Sequence, residues 1–145
     1  MQKKENKFSS VEDQAENDLC LELARLCDRL SYLSETDAAM EVFIGQKAGG
    51  VSREEILSQT GHGDSDPIEE ISIEVFFEKL TTVREWYNTQ QVANAGRYGE
   101  LKKYLQESLT DTHVFRIGRV QIEIFVVGLD SSQNLVGIKT KAVET

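Results

Sequence analysis

The chain has 145 residues, 39% hydrophobic and 28% charged, which suits one domain large enough to bury its own core. Its net charge of −9 repels nucleic acid and anionic membranes, and is compatible with a basic partner or with plain solubility. No stretch approaches the roughly 18 apolar residues of a membrane helix, and the opening MQKKENKFSS lacks the apolar core of a secretory signal, so a cytoplasmic location is expected.

Residues 1–12 are polar and aperiodic, which predicts a disordered lead into a single domain over 13–145. Leu19, Leu23, Leu26 and Leu30 recur at three- and four-residue steps and predict an amphipathic helix over roughly 12–32. Cys20 and Cys27 share a face of that helix. Seven residues of rise is about 10 Å, too long for a disulfide, and no His stands at matching spacing for zinc. Both read as small core residues.

MEVFIG reads as a strand and KAGG as a loop. Ser52 followed by Glu55 predicts a capping box and a short helix to about Thr60. TGHGDSDP is a loop by composition, and IEEISI a short strand. Phe76, Phe77 and Leu80 predict a further helix, with Thr82 capping another turn that carries REWY. In GRYGELKKYLQESL, Tyr98, Leu101, Leu105 and Leu109 line one side of a helix.

The alternation is clearest near the end. In RVQIEIFVVG, Val120, Ile122, Ile124 and Val126 alternate with Gln121, Glu123, Phe125 and Val127. DSSQN reads as a turn and LVGIKTKAV as the returning strand, with HVFRIG pairing alongside. Phe125 and Val127 make the second face apolar too, so helices are expected on both faces. Early helices, a late meander and no βαβ rhythm predict the α+β class.

Residues with chemistry to offer are few. His62 in GHGDSD has Asp64 and Asp66 nearby. It reads as an acid–base or metal-binding group, or as a glycine turn whose imidazole bonds the backbone; the spacing is not specific for ligation. His113 reads as a surface residue without a partner. No nucleophile elbow or phosphate loop is present. The pairs Glu54–Glu55 and Glu69–Glu70 read as solvated faces. Hence no catalytic residue, cofactor or metal of its own is expected, and the chain reads as a non-enzyme. Trp86 in REWYNTQQ, the single tryptophan, is either a core plug, the commoner role, or an interface anchor beside Tyr87.

LSET followed by EVFI, then QTGHG, VFFEKLTTVREWY, VFRIGRVQIEIFVVG and NLVGIKTKAVET, stand in one order from about Leu30 to Thr145. In these blocks the chain resembles the nuclease A inhibitor family. The resemblance implies an α/β/α sandwich with a mixed, largely antiparallel sheet, similar to pathogenesis-related proteins of class 1. It also implies an intracellular inhibitor, monomeric when free, that occupies the active-site cleft of a sugar-nonspecific endonuclease. Such nucleases cut DNA and RNA with bound Mg²⁺ or Mn²⁺.

The resemblance assigns four partner-binding residues. Glu35 in LSET matches an acidic contact residue, and Trp86 the aromatic anchor. Glu85 stands where a family member has Asp, one methylene shorter. Thr145 matches a C-terminal threonine that approaches the nuclease metal. Its hydroxyl and terminal carboxylate are hard oxygen donors of the kind Mg²⁺ prefers. The alternative is a non-catalytic small-molecule-binding or regulatory domain of the same fold, with the Trp86 region and the GHG loop lining a pocket. The two readings part at Trp86, which an inhibitor exposes and a pocket protein buries.

Overall fold

The computed structural model describes residues 7–145, with side chains from Gln14 onward. Its elements run α1 (Lys7–Cys27), β1 (Ser31–Leu33), β2 (Asp37–Ala39), β3 (Glu41–Lys47), α2 (Arg53–Thr60), β4 (Ile68–Ile71), α3 (Ile73–Thr81), α4 (Thr89–Ser108), β5 (Thr110–Ile117), β6 (Gln121–Leu129) and β7 (Asn134–Val143). Among the described residues no helix is long and apolar enough to cross a membrane.

Five strands form one sheet in the order β3-β7-β6-β5-β4, and β1 pairs with β2 in a separate small hairpin. Every pairing in both is antiparallel, so the antiparallel part of the expected sheet makes up all of it. At the centre, Ile124 faces Thr140 and Val126 faces Ile138 across β6 and β7. A period of two sends neighbouring side chains to opposite faces. Ile122, Ile124 and Val126 therefore join Leu23 and Leu26 of α1, Phe76 and Phe77 of α3, and Leu101 and Leu105 of α4 in one core. Phe125 and Val127 join Phe43, Phe115 and, from α2, Ile56 and Leu57 in a second. The α+β class and the covering of both faces follow directly from that alternation.

Several local expectations shift. The first helix starts at Lys7 and ends at Cys27, not at 32. Arg29 takes a left-handed φ of 62°, which ends the helix. Leu30 stays fully buried beyond that stop, so its place in the apolar period extended the reading by a turn. The disordered lead expected over residues 1–12 lies, for residues 1–6, outside the described residues. Cys27 is buried, and burial pushes its thiol up to about 11; Cys20 is only half-buried.

Ser52 caps α2 by accepting from the Glu55 N–H at 3.0 Å, but the Glu55 carboxylate accepts from Gln59 instead of returning to the cap. Half of the capping box forms. Gln59 itself reaches the outer edge of β3, where its amide accepts from the Gln46 N–H at 2.7 Å and donates to the Gln46 carbonyl at 3.2 Å. Thr82 does not open a turn: it closes α3, its hydroxyl donating to the Glu78 carbonyl, and REWY is not helical. The cap of the next helix is Asn88. Its side chain accepts from the Gln91 N–H, and the Gln91 side chain accepts from the Asn88 N–H, both at 2.8 Å. α4 therefore begins well before GRYGEL, through polar turns that carry little apolar period.

The histidines tie elements together. The His62 ring lies 3.0 Å from Asp66 and 3.2 Å from Glu123 of β6, so its partners are carboxylates rather than the backbone, and Asp64 is not among them. His113 is not an unpartnered surface residue. It meets Glu70 of β4 and, at 2.8 Å, Asp111, and it stacks on Phe115. Only the β4–β5 pairing brings Glu70 there.

Two measurements test this architecture. Leu105 is completely buried, so Leu105→Ala is expected to cost about 2–5 kcal/mol in urea unfolding. Val75, exposed on α3, should tolerate Val75→Ala within about 0.5 kcal/mol. Both histidines titrate above their ordinary 6.5: burial pulls them down, but hydrogen bonds to Glu123 and Asp66, and to Asp111 and Glu70, more than reverse it. A raised folded value gives stability fully present below about pH 6.5 and lost as pH rises through the folded value. The difference in unfolding free energy between the native chain and His62→Gln, or His113→Gln, should thus shrink from pH 6 to pH 8.5. Surface pairs of this kind contribute about 0–1 kcal/mol each.

Candidate functional site

The β1–β2 hairpin turns through Ser34, Glu35 and Thr36, with the Ser34 N–H donating to the Thr36 carbonyl at 2.9 Å. The end of β7 runs beside this turn and is bonded to it repeatedly. The Val143 N–H donates to the Ser34 hydroxyl at 3.0 Å, and the Glu35 N–H to the Val143 carbonyl at 3.2 Å. On the other side, the Glu144 N–H donates to the Val120 carbonyl at 2.9 Å, and Arg116 holds the Glu144 carboxylate at 2.6 Å. Strand geometry stops at Val143, yet the last two residues are fixed.

Thr145 closes the arrangement. Its N–H donates to the Glu35 carboxylate at 2.7 Å, and its hydroxyl lies 2.9 and 3.2 Å from the two oxygens. These donors, the backbone N–H first and the hydroxyl second, hold the Glu35 carboxyl below its ordinary 4.5. At neutral pH it is an anion that accepts from the chain end.

Trp86 lies in the loop between Thr82, which closes α3, and Asn88, which caps α4. It is 75% exposed, and its ring meets that of Tyr87 edge-on at 6.0 Å between centroids. The Tyr87 N–H donates to the Arg84 carbonyl, closing the turn that carries Glu85, which is also exposed. Tyr98 ties α4 to the start of the hairpin. The Tyr98 hydroxyl donates to the Ser31 carbonyl of β1; burial pushes its value up, and nearby Asp37 and Tyr87 add to the rise.

The four residues singled out from sequence are thus all exposed. Glu35 and Thr145 are brought into direct contact. Glu85 and Trp86 stand on a different segment, the loop between α3 and α4, with no hydrogen bond to that pair among the described residues. Ser34, Arg116 and Val120, which hold the chain end, were not apparent from sequence. Ser34 carries a weak signal, a serine two residues before a threonine in a turn; Arg116 carries none, because its partners Glu69 and Glu144 meet only through strand register.

A cleft of about 550 Å³ opens between the hairpin and the loop after α2, lined by Asp37, His62, Asp66, Gly118, Glu123 and Lys141 among others. Trp86 is not part of it, so the cleft is separate from the aromatic loop. Among the described residues no group of three or more His, Cys, Asp or Glu side chains is placed to hold a metal ion.

Comparison with known proteins adds one finding. The family of nuclease A inhibitor-like proteins matches residues 17–145, which takes in every strand, α2, α3, α4 and the latter part of α1. No curated protein matches the chain. With nearly its whole length accounted for in this way, the chain belongs to the nuclease A inhibitor-like family.

Proposed function

We propose that the chain inhibits a metal-dependent, sugar-nonspecific endonuclease by filling its active-site cleft with Glu35, Glu85, Trp86 and the Thr145 end. Family membership supports a nuclease as the partner. The observation that carries the finer reading is the chain end, exposed yet fixed through Glu35, Val120 and Arg116. A Thr145 held this way loses little conformational freedom on docking. Its oxygens are chemically matched to a hard cation and take the place of a substrate phosphate oxygen. Inhibition needs no chemistry from the inhibitor.

Trp86 supplies what the acidic groups lack, a large apolar anchor. An indole three-quarters exposed on a loop fixed at both ends is a suitable hot spot. The same exposure disfavours the small-molecule reading, which needs Trp86 to line a pocket. The charge of −9 resembles the polyanion that the nuclease normally attracts and speeds encounter with a basic cleft. The inhibitor then acts inside the cell that makes the nuclease.

Passing the source organism's lysate over the immobilised chain should retain a basic endonuclease. The native chain should abolish its cleavage of single-stranded DNA, duplex DNA and RNA together. Trp86→Ala is expected to weaken binding by roughly 30-fold or more, the scale of an aromatic hot spot. Adding a few residues after Thr145 should weaken inhibition severely while leaving thermal unfolding unchanged. An extended chain that inhibits as tightly as the native one rules out the chain end as a contact. The association rate should also fall between low and high salt, since exposed charges are screened beyond about 10 Å at 0.1 M.

A further inference from the structure

We infer that Tyr87 is a positioning residue, which holds the Trp86 indole in one orientation before any partner is met. Its purpose rests on the inhibitor reading; its geometry belongs to the free chain. Arg84, Glu85, Trp86 and Tyr87 form a β-turn, closed by the Tyr87 N–H donating to the Arg84 carbonyl at 3.1 Å. Glu85 and Trp86 are the two corner residues of that turn. With three-quarters of its surface exposed, Trp86 has little packing to fix its side-chain torsions. Its aromatic neighbour is Tyr87, met edge-on at 6.0 Å between centroids and 86° between planes. Edge-to-face pairs are favourable at about 4.5–7 Å, so this contact selects among the indole's orientations.

Tyr87 suits this task because it is rooted in the fold where Trp86 is not. Its side chain is half-buried, and it lies close enough to Tyr98 of α4 to raise that hydroxyl's value. Tyr98 is itself buried and bonded to the Ser31 carbonyl of β1. On its other side Tyr87 precedes Asn88, whose reciprocal bonds with Gln91 at 2.8 Å fix the entry into α4. Backbone and ring of Tyr87 therefore act on the same neighbour. The N–H closes the turn that carries Trp86, and the ring limits where the indole can swing. An apolar anchor already in its docking orientation gives up little rotamer freedom on binding, whereas a free indole gives it up at that moment. The contact is made by the ring, so Tyr87→Phe keeps it and Tyr87→Ala removes it.

The chain has a single tryptophan, so time-resolved fluorescence anisotropy of the free protein reports on Trp86 alone. In the native chain and in Tyr87→Phe, the fast component from local indole motion should be small. In Tyr87→Ala its amplitude should rise severalfold, as for a freely turning exposed side chain. The tryptophan bands in near-ultraviolet circular dichroism should fade with it. Tyr87→Leu keeps apolar bulk without an aromatic edge and should fall between the two, which preserves the test if Tyr87→Ala fails to fold. An indole as rigid in Tyr87→Ala or Tyr87→Leu as in the native chain overturns the positioning role. A freed indole in Tyr87→Phe does so as well, by placing the hold in the hydroxyl.

The second arm uses a Mg²⁺-dependent, sugar-nonspecific endonuclease that the native chain inhibits. Tyr87→Ala should weaken binding by roughly threefold to tenfold, and Tyr87→Phe by less than about twofold. In a chain that already carries Trp86→Ala, Tyr87→Ala should cost little more, because it acts through the indole. Losses that multiply in the double variant overturn the role by making Tyr87 an independent contact. A freed indole that costs no affinity overturns it too. If no such endonuclease is inhibited by the native chain, the inhibitor reading fails, while the anisotropy still decides whether Tyr87 holds the indole.

Discussion

The antiparallel pairing of β6 with β7 is the interaction on which the rest of the molecule depends. It runs from Leu129 opposite Leu135 to Gln121 opposite Val143 without interruption. Its turn is fixed by the buried Asp130 carboxylate, which accepts from the Ser132 and Asn134 N–H groups at 2.9 Å. Gly137 shows how close the strands come: a Cβ there would lie 1.9 Å from the Val126 carbonyl oxygen. A one-residue slip would exchange the two cores, sending Phe125 toward α4 and Ile124 toward α2. The same register decides where the chain ends. With Val143 opposite Gln121, the two remaining residues fall between the hairpin turn and the start of β6.

How much of this can be read from the chain follows the range of the interactions. The alternation in RVQIEIFVVG identified the central strand, its partner and the two-sided core, because a period of two is a local property. Helices with apolar spacing, such as the one bearing Leu101 and Leu105, were equally open to reading. Asn88 was missed as a cap because Thr82 offered the same chemistry six residues earlier, and only the packing of α3 makes Thr82 an ending. The His62–Glu123 and His113–Glu70 contacts join residues far apart in sequence, so no local pattern announces them. For the candidate site, resemblance pointed to Glu35, Glu85, Trp86 and Thr145, but not to the bonding of the first to the last. That contact spans almost the whole domain, from Glu35 to the chain end.

The distribution of charge sharpens the picture of an acidic protein. The acids are not uniform: some are engaged within the fold. Glu123 and Asp66 flank one imidazole, Glu70 and Asp111 another, and Glu69 and Glu144 share Arg116. Glu85, by contrast, is exposed and has no ion pair among the described residues. The long-range field comes from all of them, whether or not they are engaged within the fold.

The side chain of Gln59 on the outer edge of β3 has a consequence of a different kind. An unpaired sheet edge offers donors and acceptors to any extended segment, including those of nascent or damaged proteins. Gln59 occupies one N–H and one carbonyl of that edge with an amide of the same chemistry, as a sixth strand would begin to do. The opposite edge is β4, only four residues long, entered from Pro67 and bearing Glu69 and Glu70. Both borders of the sheet are thereby poor templates for self-templated polymerisation. A sheet blunted at both borders resists the addition of a foreign strand from either side, whatever else the chain meets in the cell.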